Sequence, residues 1–171
     1  MKQILVLACF LALFTTNTVS AQQDKSKRAS PPAVVTETLS SGATLTIDYS
    51  QPSVKGRTIG KEIAPYGQVW RTGANEATVF EVSKDVKVEG KALAAGKYSL
   101  YSIPGEKEWT IIINKTWKQS GTQYSEAEDA IRFKVKPGKA NAFTEKMTFT
   151  VAKTGKVALA WGDVLIVFNV K

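Results

Sequence analysis

Along most of this chain apolar residues recur at every second position, and that period limits the fold more than any other feature. Leu45, Ile47 and Tyr49 alternate with Thr44, Thr46 and Asp48. Thr78, Phe80 and Val82 alternate with Val79 and Glu81, and Ile131, Phe133 and Val135 with Arg132, Lys134 and Lys136. Met147, Phe149 and Val151 repeat the pattern, and so do Val157, Leu159 and Trp161. A period of two turns one face of a strand to the core and the other to water. Residues 98–103 and 109–113 read as two further strands joined by Pro104-Gly105-Glu106-Lys107, a proline–glycine turn. The segment 164–170 is apolar on both faces except at Asn169, so it is expected to be central or covered.

Turn pairs punctuate these runs at Ser41-Gly42, Glu89-Gly90, Ala95-Gly96, Pro137-Gly138, Thr154-Gly155 and Trp161-Gly162-Asp163. Short strands with this punctuation predict an all-β fold. The expected form is an antiparallel, jelly-roll-like β-sandwich of about nine to ten strands. Helix is expected only near residues 125–130, where Ser125 can cap and Glu126, Glu128 and Asp129 suit a first turn.

The first 21 residues read as a signal peptide. Lys2 is the positive n-region, residues 4–14 are an apolar run too short to span a bilayer comfortably, and Val19-Ser20-Ala21 is a small-residue cleavage site. Residues 22–32 are polar and charged and end in two prolines, the composition of a flexible linker. Residues 33–171 then form one domain, long enough for a core of its own. A periplasmic or secreted location is expected, without stable membrane insertion once the leader is gone.

The single cysteine, Cys9, lies inside that leader, and the chain has no histidine. Ser-His-Asp triads, thiol nucleophiles, imidazole zinc sites and disulfides are therefore outside its chemistry. A metal would have to be a hard cation on carboxylates and carbonyls, but no calcium-loop spacing occurs. No phosphate-binding glycine loop occurs either. Neither a cofactor nor a metal site is expected. The formal charge is +8, from 23 Lys+Arg against 15 Asp+Glu. The lysines are dispersed along strands, which reads as a solvated surface and gives no nucleic-acid footprint.

The chemistry-bearing residues concentrate in Y-G-Q-V-W-R-T-G-A-N-E-A-T, residues 66–78. Arg71 offers a planar fork for carboxylate or phosphate. Tyr66 and Trp70 can stack on a ligand, and Asn75 and Glu76 can orient one. The same residue types also suit a structural plug, with Arg71 paired to Glu76 or Asp48 and Trp70 filling the end of the sandwich. Arg57, in Q-P-S-V-K-G-R, is a second guanidinium that could share an anion-accepting mouth with Arg71. No pair of carboxylates has the look of a positioned acid and base, and no catalytic residue is assigned.

The motifs S-Q-P-S-V-K-G-R-T-I-G, Y-G-Q-V-W-R-T-G-A-N-E-A-T, L-A-A-G-K-Y-S-L-Y-S-I-P-G-E-K-E-W-T-I-I-I-N-K and A-L-A-W-G-D-V-L-I-V-F together resemble the domain of unknown function 2911 family. Ile59-Gly60 stands where Phe-Gly is frequent, and residues 117–127 lack a common Trp-Gly. The resemblance implies an exported β-sandwich of Bacteroidetes-type bacteria and implies no activity. The expected function is a non-enzymatic binding or accessory module. Its site would comprise Arg57, Tyr66, Trp70, Arg71, Asn75 and Glu76, and its partner would be a small polar or anionic ligand. The alternatives are a hydrolase or lyase with Glu76 as general base, and an envelope domain that binds another protein.

Overall fold

A computed structural model describes residues 24–171. The leader and its cleavage site, expected over residues 1–21, lie outside the described residues. The described residues form ten strands: β1 (Pro32–Thr38), β2 (Thr44–Ser50), β3 (Thr78–Val82), β4 (Val86–Val88), β5 (Lys91–Leu93), β6 (Gly96–Ile103), β7 (Trp109–Asn114), β8 (Asp129–Val135), β9 (Gly138–Val151) and β10 (Lys156–Asn169). The fold is all-β and antiparallel. The expected helix is a single 3₁₀ turn, Glu126–Glu128, and Ser125 makes no side-chain cap to it.

Six strands form one sheet in the order β1-β2-β3-β6-β7-β8. β9 and β10 form a long hairpin, and β4 and β5 a short one. This order is a meander with one excursion, not the two Greek-key sheets of a jelly roll. Strands that follow one another in this sheet lie side by side even across the long connections 51–77 and 115–128, so the jelly-roll detail of the expectation is corrected while the antiparallel sandwich stands.

The core lies between the large sheet and the β9–β10 hairpin. Leu45 and Ile47 of β2 are buried beside Val82 and Phe80 of β3, as their register requires. Phe80 and Phe133 both meet Phe168 of β10, at ring-centroid distances of 6.4 and 5.5 Å. Tyr49 meets Phe149 of β9 edge-on at 4.9 Å. The outer face of the large sheet is covered near its middle. Tyr101 and Ile112, paired across β6 and β7, are buried there with Ala77. The connection between β7 and β8 lies over them: the Tyr101 hydroxyl donates to the Gln123 carbonyl at 2.9 Å and accepts from Gln119 at 3.0 Å.

Trp161-Gly162-Asp163, expected as a turn, lies inside β10, which runs unbroken from Lys156 to Asn169. Its register against β9 shifts on both sides of Gly162, which has φ +58°. The surplus residues of β9 find partners elsewhere: Val54 N–H donates to Glu145 O and Met147 N–H to Pro52 O. A two-strand hairpin thus borrows a third short partner from the loop after β2. That loop is thereby held at one end of the sandwich.

Candidate functional site

The connection between β2 and β3 closes that end. Its first arm, residues 52–54, is held on β9 by the two bonds just described and carries Arg57 just beyond it. Arg57 folds back on this arm, donating from Nε to Val54 O at 3.1 Å and from Nη2 to Ser53 O at 2.8 Å. Its second arm joins the large sheet at Trp70, where Trp70 N–H donates to Ser102 O at 2.7 Å and Ser102 N–H donates back at 2.8 Å. Trp70 therefore continues the β3 position alongside β6, beyond the end of β3. Thr72 donates to the Ser102 hydroxyl at 2.9 Å, and Thr78 donates to Thr72 O at 2.9 Å, which locks the arm down.

The Trp70 ring stacks on Trp161 at 5.2 Å and 12° and meets Trp109 edge-on at 6.2 Å. It is a wedge between the two layers, mostly covered but not fully buried. Arg71 donates from Nη1 to Asn75 O at 2.6 Å. Among the described residues it has no ion pair with Glu76 or Asp48, so that internal pairing does not form. Gly121 lies against Arg71; a Cβ there would come within 2.4 Å of its Cδ. The loop over the outer sheet face thus fixes one side of the guanidinium's stem.

Arg57, Trp70, Arg71 and Asn75 line one pocket of about 270 Å³, together with Ser30, Pro52, Ile63, Ala64, Gly73, Ala74 and Trp161. No carboxylate is among these residues. Each guanidinium is steadied by backbone carbonyls and keeps donors that are not used in those bonds. Ala64, Thr72 and Asn75 hold positive φ without being glycine (47°, 49° and 60°). Such strain collects where a loop's shape is over-determined, often at ligand sites. Trp161 is 2% exposed, and its Nε1 is the one buried side-chain nitrogen or oxygen without a hydrogen-bond partner among the described residues.

Two of the six expected site residues lie apart from this pocket. The Tyr66 ring covers Gly60, where a Cβ would come within 2.3 Å of it. Glu76 belongs to a second pocket of about 380 Å³ on the outer sheet face, with Arg28, Asp48, Tyr49 and Trp117. Arg28 donates to both Glu76 oxygens at 2.9 Å, and Lys25 lies 3.9 Å from the carboxylate. The Arg28 bond first, and Glu76's own backbone amide next, hold this carboxyl below its ordinary range. A carboxylate so engaged is a weak proton acceptor at neutral pH. The residues before β1 also reach the arginine pocket, where Asn75 Nδ2 donates to Ser30 O at 3.2 Å.

Sequence reasoning missed Trp161 and Arg28. Trp161 was hidden because Trp161-Gly162-Asp163 has the composition of a turn. Arg28 sits in a charged stretch whose partner is 48 positions away. Among the described residues no group of acidic, histidine or cysteine side chains is placed to hold a metal ion. No helix among them is long and apolar enough to cross a membrane.

A model of the family described as "protein of unknown function (DUF2911)" matches residues 30–170. The chain belongs to this family. The match begins just before β1 and ends at Val170, so it takes in all ten strands and every residue of the arginine pocket. No curated protein and no solved structure matches the chain.

Proposed function

We propose that the protein is an exported, periplasmic or secreted binding or accessory module. Its ligand site is the pocket between Arg57 and Arg71, and its ligand is small and polar or anionic. The observation that carries this reading is the charge balance: two guanidiniums line the pocket without a carboxylate. Their sequence neighbours are occupied elsewhere, Glu62 by the Thr58 amide at 2.9 Å and Glu76 by Arg28. An anion entering the pocket meets donors held in place by backbone carbonyls, so little ordering cost remains. Glu76 lends no comparable support to a hydrolase or lyase, because Arg28 already engages both of its oxygens.

The test is a thermal-shift and calorimetric screen of organic acids and inorganic phosphate against the wild type, Arg57→Ala and Arg71→Ala. A charged hydrogen bond contributes about 1.5–3 kcal/mol, so each variant should lose about 10- to 100-fold in affinity for any anion that binds. Equal binding by the wild type and Arg71→Ala would remove the pocket from consideration.

A further inference from the structure

The residues before β1 belong to both pockets, and the bonds that hold them lead to Arg71. Lys25 and Arg28 line the pocket of Glu76, and Ser30 lines the arginine pocket. Three contacts pin this segment. Arg28 donates to both Glu76 oxygens, Asn75 Nδ2 donates to Ser30 O at 3.2 Å, and Gln51 N–H donates to Pro31 O at 2.9 Å. None of the described side chains of residues 24–31 is buried. Their docking therefore lies at the low-stability end of the fold, where a segment opens and closes without global unfolding.

Two of the pins fall on adjacent residues, Asn75 and Glu76, and Asn75 is also the partner of Arg71. Its side chain gives a bond to the segment, and its carbonyl takes one from Arg71 Nη1 at 2.6 Å. The backbone turns at Asn75 with φ 60°, and strain of this kind persists only where the surroundings fix it. On one side the loop over the outer sheet face does so, through the Ala77 N–H bond to Gln119 O at 3.3 Å. On the other side the fixing groups are Ser30 and Arg28. Without them Asn75 loses its side-chain bond and Glu76 its ion pairs. The carbonyl that orients the Arg71 guanidinium then loses half of what holds it.

We infer, on the binding role just proposed, that residues 24–31 act as a latch on the arginine pocket. Arg28, Glu76 and Asn75 are positioning residues that set the Arg71 guanidinium for an anion. Docking and binding are then coupled in both directions: a docked latch raises affinity, and a bound anion holds the latch down.

The charge of Glu76 makes the test sharp. Glu76→Gln removes a negative charge near an anion site, which by electrostatics alone strengthens binding. The latch predicts the reverse, because the amide no longer pairs with the Arg28 charge. Half of the Glu76 side chain is exposed, so the variant keeps its core. Inorganic phosphate and succinate are the probes, titrated into the wild type and Glu76→Gln by calorimetry. Affinity should fall about 5- to 10-fold in the variant. Trypsin should cut the wild type after Lys25, Lys27 and Arg28 more slowly when a bound probe is present, and this protection should shrink in Glu76→Gln. The Arg71 Nε–H resonance, assigned by its absence from Arg71→Ala, adds a readout that needs no anion. Glu76→Gln and Arg28→Ala change the local field in opposite senses, yet both open the latch, so both should move this resonance in the same direction. Equal or tighter anion binding by Glu76→Gln would overturn the latch. So would Arg71 shifts of opposite sign in the two variants, or none. If the wild type binds neither probe, the small-anion site falls, and the two Arg71 shifts still decide whether residues 24–31 position that guanidinium.

Discussion

Removing the Trp70 ring tests whether the end of the sandwich is held by side-chain packing or by backbone pairing. The two backbone bonds to Ser102 survive in Trp70→Ala, so what is lost is the ring. A fully buried tryptophan removes 150–250 Å² from water. Trp70 is partly buried, with roughly two-thirds or more of its surface covered, so about 130–160 Å² is at stake, or ~3–4 kcal/mol at about 25 cal/mol per Å². Its stacked contact with Trp161 and edge contact with Trp109 add about 0.5–1.5 kcal/mol each. Partial collapse of the site returns some of this, which leaves a loss of ~4 kcal/mol, within the usual range for deleting a large aromatic. For a domain of about 150 residues that is a fall in Tm of ~8–16 °C. Urea unfolding followed by far-UV circular dichroism avoids reading stability through the tryptophan that has been removed. Trp70→Phe should lose ~1–2 kcal/mol, because a smaller ring keeps part of both contacts. A loss below about 1 kcal/mol in Trp70→Ala would refute the wedge.

Three further outcomes follow from named contacts. Gly60 has φ +91° and the Tyr66 ring over it, so Gly60→Ala should lose at least about 1–2 kcal/mol from backbone strain alone, read by urea unfolding, with Tyr66→Ala relieving the added clash. Glu76→Gln should release the residues before β1, giving faster tryptic cleavage after Lys25, Lys27 and Arg28. Because the Glu76 carboxyl is held below its ordinary value of 4.5, its docking contribution should be present above that pH and be lost as pH falls through the lowered folded value, read from the Arg28 amide resonance. Tyr124 donates to Asp129 at 2.9 Å and also receives a bond from Arg132. Burial first, then Asp129, pushes its hydroxyl up to about 12. The stability this contributes should hold below the ordinary value of 10 and disappear as pH rises toward 12. Thermal unfolding across that window should show a steeper decline in the wild type than in Tyr124→Phe.

The alternation of apolar residues revealed the strands because it is local. Leu45, Ile47 and Tyr49 face the core as their spacing demands, and Phe133 does the same. The pattern could not show what covers the other face of β7. Ile112 is apolar and points away from the main core, and its cover comes from residues 119–124, whose own sequence is polar. Nor could it show that β10 continues through Gly162. The glycine looks like a turn, and the reason it is not one lies on β9, whose surplus residues pair with 52–54.

The site was half legible for the same reason. Arg71 and Glu76 are five positions apart, which makes an ion pair the natural reading. Asn75 stands between them with φ 60° and donates to Ser30 O. With the chain turned there, Arg71 lines one pocket and Glu76 another, against Arg28. Arg57, Trp70 and Trp161 reach the first pocket through three separate long-range pairings: residues 52–54 on β9, Trp70 on β6, and β10 on β9. No local motif encodes such a meeting. The pocket's most telling property, two guanidiniums without a carboxylate, depends on where Glu62 and Glu76 are not. Proximity in the chain would place both acids beside the arginines, and the hydrogen bonds that the fold offers them elsewhere, from Thr58 and Arg28, draw them away. The positive character of the site is thus made by the partners of its neighbours. Freeing Glu76 by Arg28→Ala should therefore weaken anion binding at the arginines through the carboxylate's field, even though Arg28 is not among the residues lining that pocket.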